Sequence, residues 1–206
     1  MSLVFYYAPW SSATTCLWAL EELGIPCERR KLDLSAKATH TPEFLALNPN
    51  GKVPLLVHDG LPIFESIAIL AHLGETFGVE KRLFPPPGLA RAQAFQWLAW
   101  ASVSLASAAQ RYHGNSSDQV PAELRNGKVA DLAKLETQGL LAILDRHLQG
   151  KTWMLGGSDF TLVDVHLAGA LSWVGRMGFG TSELLSLDAW LTRCKTRPSL
   201  AATMSA

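Results

Sequence analysis

The chain has 206 residues, of which 48% are hydrophobic and 17% charged, with a formal net charge of +0. That length holds one large domain or two small ones and can bury a sizeable core. The charge balance argues against a nucleic-acid or anionic-membrane partner, which would call for clustered Lys and Arg. The densest basic run, Arg29-Arg30-Lys31, reads as a solvated strand start.

In chain order, Leu3 to Tyr7 is short, aromatic and apolar, the pattern of a buried strand. Ala8-Pro9-Trp10-Ser11-Ser12 breaks it. Thr14 to Leu23 then carries Cys16, Leu17, Leu20 and Leu23 at helical spacing, and Gly24-Ile25-Pro26 stops the helix. Cys27 to Leu34 reads as a second strand. Thr41 caps a short helix with Pro42 at its first position. Asn48-Pro49-Asn50-Gly51-Lys52-Val53-Pro54 follows, a turn that sets a proline against the next strand, where its missing N–H marks a special backbone geometry. Leu55 to His58 and Leu61 to Phe64 form a hairpin around Asp59-Gly60. Glu65 to Phe77 is helical. The order β-α-β-α-β-β-α fits a mixed four-stranded sheet with helices on both faces, as in thioredoxin-like folds.

Pro85-Pro86-Pro87-Gly88 cannot continue a helix and predicts a domain boundary. Beyond it, Leu89 to Tyr112, Pro121 to Leu148, Thr161 to Val174 and Leu184 to Thr196 all read as helices, the third apolar on most sides. The expected architecture is an α/β thioredoxin-like domain over 1–80, a proline-rich linker over 81–88 and an all-α helical domain over 89–206. Three widely spaced cysteines without a CxxC favour neither a disulfide framework nor a metal site, and suit a reducing cytoplasm. The N-terminus lacks the basic start of a secretory signal, and no apolar run reaches the roughly 20 residues of a membrane span.

Taken together, the turn carrying Ser11 and Ser12, Asn-Pro-x-Gly-x-Val-Pro, Glu65-Ser66 and the helix-starting box Thr161-Leu162-Val163-Asp164 resemble the cytosolic glutathione transferases over essentially the whole chain. The likeness is to the bacterial, serine-type members of the theta, phi and beta kind. It implies a cis Val53–Pro54 bond whose Val53 backbone pairs with the cysteinyl part of glutathione. It also implies glutathione as co-substrate, no metal, a small hydrophobic electrophile as second substrate and a cytoplasmic homodimer engaged in detoxification.

The residues supply a chemistry for this. A thiol titrates near about 8.5 in water, and a helix N-terminus or a hydrogen-bond donor lowers it to about 7 or below. Ser11 and Ser12 stand where the first helix begins, so one can cap it while the other donates to a thiolate. By the resemblance, counting forward from the strand puts Ser11 where the serine-type plant transferases keep their catalytic serine, and counting back from Gly24 puts Ser12 where the bacterial beta-type enzymes keep a cysteine; Ser11 is preferred. Tyr6, at the end of the strand, is a third candidate, although paired tyrosines in a buried strand are commonly core. Ser66 and the helix amides behind it would hold the γ-glutamyl carboxylate, with Glu65 accepting from the ammonium group. Lys52 and His40 are candidates for the glycyl carboxylate, a solvated lysine being the plain alternative. Trp97, Trp100, Ser104, Ala108 and Arg111 fall on one broad face at spacings of three, four and seven. With Trp10 and Tyr112 they make the candidate hydrophobic pocket; core or dimer contacts are the alternative for the tryptophans.

Three functions compete at this point. One is conjugation of glutathione to hydrophobic electrophiles. Another is glutathione-dependent disulfide or peroxide reduction; the lack of a cysteine at the Trp10-Ser11-Ser12 turn counts against a covalent thiol-exchange route and leaves open reduction through two glutathiones. The last is a non-catalytic ligand carrier or regulatory subunit, which the retained Val53-Pro54 and Glu65-Ser66 disfavour.

Overall fold

The computed structural model describes residues 1–204, which divide into two compact units. The first runs from Met1 to Arg91 and takes in the chain again from Arg197; the second is Ala92–Thr196. In the first, β1 (Leu3–Tyr7), β2 (Glu28–Lys31), β3 (Leu55–His58) and β4 (Leu61–Phe64) form one sheet in the order β2-β1-β3-β4. β1 and β2 are parallel, and the β1–β3 and β3–β4 pairs are antiparallel. The crossover between β1 and β2 is α1 (Ala13–Leu23), which ends on Gly24 in the left-handed conformation, φ 57°. Glycine takes that conformation without a Cβ penalty.

Thr41 caps α2 (Pro42–Leu47) by accepting from the Phe44 amide at 3.3 Å. Asp59 and Gly60 both have positive φ, 47° and 85°, as a two-residue hairpin turn with the right twist requires. β2 is shorter than the Cys27–Leu34 expected. After Lys31 the chain turns on Asp33, whose carboxylate accepts from the Ser35 amide at 2.9 Å and its hydroxyl at 2.6 Å. The helix expected over Glu65–Phe77 is α3 (Ser66–Leu73), followed by a π-helical turn, Gly74–Gly78. Phe84 lies against this turn so closely that a Cβ on Gly74 would come within 2.6 Å of its ring.

The first unit's opening segment ends at Arg91, three residues past the end of the proline run at Gly88. Arg91 ties the chain back after it, donating from Nε to the Pro85 carbonyl and from Nη1 to Glu75, both at 2.9 Å. α9 (Pro198–Met204) packs on α1, where Glu22 accepts from Arg197, Ser199 and Trp18.

The second unit is helical: α4 (Leu89–Trp100) enters it and α5 (Ser107–Ser116), α6 (Gly127–Leu148), α7 (Leu162–Arg176) and α8 (Leu185–Lys195) lie within it. α4 and α5 are joined by a second π-helical turn, Ala101–Ala106. α7 is buried all round through its first two turns, from Leu162 to Ala168. No described helix is long and apolar enough to cross a membrane.

Candidate active site

Strand register assembles the site in the first unit. Tyr6 pairs with Leu55 and Leu55 pairs with Phe64. The end of β1, the start of β3 and the end of β4 therefore lie side by side. The residues just outside these ladders are Ala8 to Ser12, Val53-Pro54 and Glu65-Ser66. The Val53–Pro54 bond is cis. The Cys16 thiol of α1 meets the Ser66 carbonyl at 3.8 Å, which fixes the start of α1 beside the start of α3. Asn48, buried beneath the turn, donates from Nδ2 to the Lys52 carbonyl at 2.7 Å. The His40 ring packs over Gly51, where a Cβ would stand 3.4 Å from Nε2. Lys52 and His40 are both exposed on this turn. Glu65 has φ 70° and ψ 124°, an uncommon conformation for a residue with a side chain, and its carboxylate makes no cap bond to α3.

The two serines differ. Ser11 Oγ donates to the Ala8 carbonyl at 2.7 Å and accepts from the Ala13 amide at 3.2 Å. Its proton is already engaged, and it does the work of a helix cap. Ser12 is exposed and makes no side-chain cap bond. Trp10, with φ 60°, holds its side chain 72% exposed beside them. Tyr6 is turned to other work: its hydroxyl is bonded by Arg30 at 2.9 Å and its ring meets Phe44 edge-on. Cys16 is no rival nucleophile, because burial pushes its thiol up to about 12.

The residues expected on one helical face are dispersed. The π-turn Ala101–Ala106 interrupts the α register between Trp100 and α5, so spacings counted along a continuous helix no longer predict a shared face. Trp97 and Ala108 are core; Trp97 packs against Trp100 and the His147 ring, with centroids 5.3 and 4.3 Å away. Arg111 is exposed and paired with Glu136 on α6. Trp100, Ser104 and Tyr112 remain half-buried. Tyr112 meets Phe179 edge-on, and the two line a cavity of about 470 Å³ with Leu141, Met177, Lys134 and Gln138.

Comparison with known proteins decides the family. The family model for the N-terminal domain of glutathione S-transferase matches residues 2–75, and that for the C-terminal domain matches residues 98–198. The chain belongs to the glutathione S-transferase family. It is 32% identical over 186 residues to Glutathione S-transferase GstB of Escherichia coli, covering 89% of this chain and 88% of that one. It is 29% identical over 207 residues to the disulfide-bond oxidoreductase YfcG of the same organism, covering 94% and 90%. A glutathione S-transferase structure from Xylella fastidiosa superposes with a TM-score of 0.85 at 25% identity, covering 98% and 97%. A glutathione transferase homolog from Lodderomyces elongisporus, solved with two GSH per subunit, shares the fold at a TM-score of 0.88 and 21% identity, covering 100% and 98%.

In this transferase-family chain the Thr161–Asp164 box is structural. Asp164 is fully buried and accepts from the Thr161 amide and hydroxyl, the Met154 amide and the Trp190 indole, at 2.8–2.9 Å. Burial raises its carboxyl, and these four donors oppose the rise. Sequence reasoning found the box but not Trp190 or Met154, which reach it only through the fold. It also missed Asp145, which caps α8 from α6 by accepting from the Ser186 and Leu187 amides at 2.9 and 3.0 Å. Among the described residues no group of three or more His, Cys, Asp or Glu is placed to hold a metal ion.

Proposed function

We propose that the protein joins the thiolate of glutathione to a hydrophobic electrophile, giving a thioether. The observation that supports this most is the convergence of Val53, before its cis proline, with the open starts of α1 and α3. Val53 stands outside the β1–β3 and β3–β4 ladders, so its backbone can take an extended peptide. Ser66 and the α3 amides receive the γ-glutamyl carboxylate, and Glu65 takes the ammonium group. Lys52 and His40 serve the glycyl carboxylate. The Ser12 hydroxyl donates to the sulfur and the α1 N-terminus favours its charge, while Ser11 shapes the turn. Sulfur attacks carbon; a leaving group departs with its electron pair, or in conjugate addition the carbanion takes a proton from water. Trp10, exposed beside Ser12, is assigned to the electrophile.

The test is turnover of glutathione with 1-chloro-2,4-dinitrobenzene. Tight glutathione binding with no turnover of this or any other electrophile would point to a carrier instead.

One second reading has support. The relative named as a disulfide-bond oxidoreductase supports reduction of a disulfide by two glutathiones, a route that asks for no enzyme thiol at the serine turn. The disulfide accepts two electrons to give two thiols, and the glutathiones leave as their own disulfide. Activity on 2-hydroxyethyl disulfide in excess of that on the aryl chloride would favour it. Both readings include a cytoplasmic homodimer, in keeping with three free cysteines and the exposed Leu61 and Phe64 on the edge strand β4.

A further inference from the structure

Two cations of the second unit have neutral partners only. Lys151 and Arg193 both line a groove of about 510 Å³ between the loop after α6 and one face of α8. Ser186, Ala189 and Arg193 share that face, recurring at spacings of three and four residues. Thr152 lines the groove from the loop, and no Asp or Glu lines it. The helix start itself has little to give, since Asp145 already takes the Ser186 and Leu187 amides.

Each cation is held in place without being neutralised. His147 Nε2 lies 2.7 Å from the Met154 carbonyl, which only accepts, so Nε2 carries the ring proton and Nδ1 is left to accept. The Lys151 ammonium stands 3.2 Å from Nδ1 and donates to it. Burial keeps the ring uncharged by lowering its pKa; the Met154 carbonyl opposes that and Lys151 adds to it. The Lys151 stem runs past Gly156, where a Cβ would stand 3.8 Å from Cδ and Cε. Two of the three ammonium N–H groups remain for another acceptor. Arg193 donates from Nη2 to the Thr152 carbonyl at 3.1 Å, and its guanidinium lies over the Trp153 ring, 5.8 Å from the centroid. Its Nε is enclosed and has no acceptor. Buried donors are ordinarily satisfied, and one that is not calls for an explanation. Apolar side chains complete the groove: Leu148, which is buried, Ala189, and Leu185, which is 77% exposed.

We propose that this groove binds a small organic oxyanion, a phosphate or carboxylate head on an apolar body, with the head on Lys151 and Arg193 and the body against Leu148, Leu185 and Ala189. An arginine fork and a lysine point charge are the usual partners of such heads. Thr152 and His147 already position both cations, so little order is lost on binding. The site is separate from the glutathione chemistry, to which none of these residues is assigned.

The experiment titrates the isotopically labelled full chain with phenyl phosphate and follows its amide and arginine Nε–H resonances, with S-methylglutathione present to fill the glutathione site. Shifts should concentrate at Gly150, Lys151, Thr152, Ser186 and the Arg193 Nε–H, and saturate with a dissociation constant on the order of 1 mM. Lys151→Gln and Arg193→Gln should each weaken binding about tenfold, as the loss of one charge-assisted bond implies. Leu185→Glu, a change at an exposed position, should abolish binding by setting a like charge beside the head. Inorganic phosphate and benzyl alcohol, the head and the body alone, should each bind about tenfold more weakly or not at all. Benzoate tells a carboxylate site from a phosphate site, the tighter of benzoate and phenyl phosphate naming the head. If neither shifts these resonances, the proposal is overturned. Binding that Lys151→Gln and Leu185→Glu leave at the wild-type constant also overturns it, whether or not Arg193→Gln folds. Inorganic phosphate binding as tightly as phenyl phosphate overturns the apolar body.

Discussion

The Arg197 guanidinium grips the Glu22 carboxylate with two nitrogens, Nη2 reaching Oε2 at 2.6 Å, across a separation of 175 residues. Ser199 donates to the same carboxylate and Trp18 to both Ser199 and Glu22. Burial alone would raise the Glu22 carboxyl, but the bonds from Arg197 and Ser199 outweigh it and hold the group below its usual value. Arg197→Ala strands a nearly enclosed carboxylate and should cost about 1–3 kcal/mol, the partial exposure of Arg197 keeping the loss below that of a fully buried pair. Because the folded value is depressed, the stability Glu22 adds is present above its ordinary value of 4.5 and is lost as pH falls below it. Urea unfolding of wild type and Arg197→Ala between pH 7 and pH 4 should show the two curves converging in acid.

Ser12 and Ser11 should separate cleanly. Ser12→Ala removes the hydroxyl with no partner in the helix cap, and should raise the pKa of bound glutathione by about one unit or more. Ser11→Ala removes the cap to Ala13 and should instead lower stability by about 1 kcal/mol. Thiolate absorbance against pH, with thermal melts of both variants, reads the difference. If Ser11→Ala alone moves the titration, the roles are the reverse of those assigned.

Asp164→Asn puts an NH2 in place of one of two carboxylate oxygens, each of which now accepts from two donors. The loss expected is about 3–5 kcal/mol, with the α7 start disordered before the rest of the unit. Chemical denaturation and amide exchange at 154–165 measure it. A variant with wild-type stability would show that the carboxylate contributes nothing there.

His166 gives the fold an acid limit of its own. In the unfolded chain it titrates near 6.5 and in the fold near about 4. As pH falls between these values the unfolded state takes up a proton that the fold refuses, so stability is lost, by about 3 kcal/mol at most. His166→Gln should flatten that part of the stability–pH curve; an unchanged slope would rule the residue out as its cause.

Much of this was readable in the chain, for local reasons. Gly24 after Leu23, Thr41 before Pro42 and Asp59-Gly60 between apolar runs each dictate a backbone conformation through their own chemistry, and each appears where expected. The cis bond at Val53–Pro54 was implied by the family resemblance and is present. What did not follow depends on contacts between distant segments. The π-turn at Ala101–Ala106 has no sequence mark, since it is imposed on a good α-helical sequence, and it breaks the register by which Ala108 was grouped with Trp100 and Ser104. The clasp at Arg197 needs Glu22, and the distinction between Ser11 and Ser12 needs the direction of one hydroxyl, which spacing does not contain.

The hairpin between β3 and β4 has a consequence that reaches beyond its own stability. Its two-residue turn sets which rung of one strand meets which rung of the other, and so whether Glu65 arrives beside Pro54 or one place away on the opposite side of the sheet. The turn at Asp59-Gly60 lies at the far end of both strands from the site and touches none of its residues, yet it keeps the count for all of them. A single residue inserted there would leave every site side chain in the sequence and misdeliver half of them.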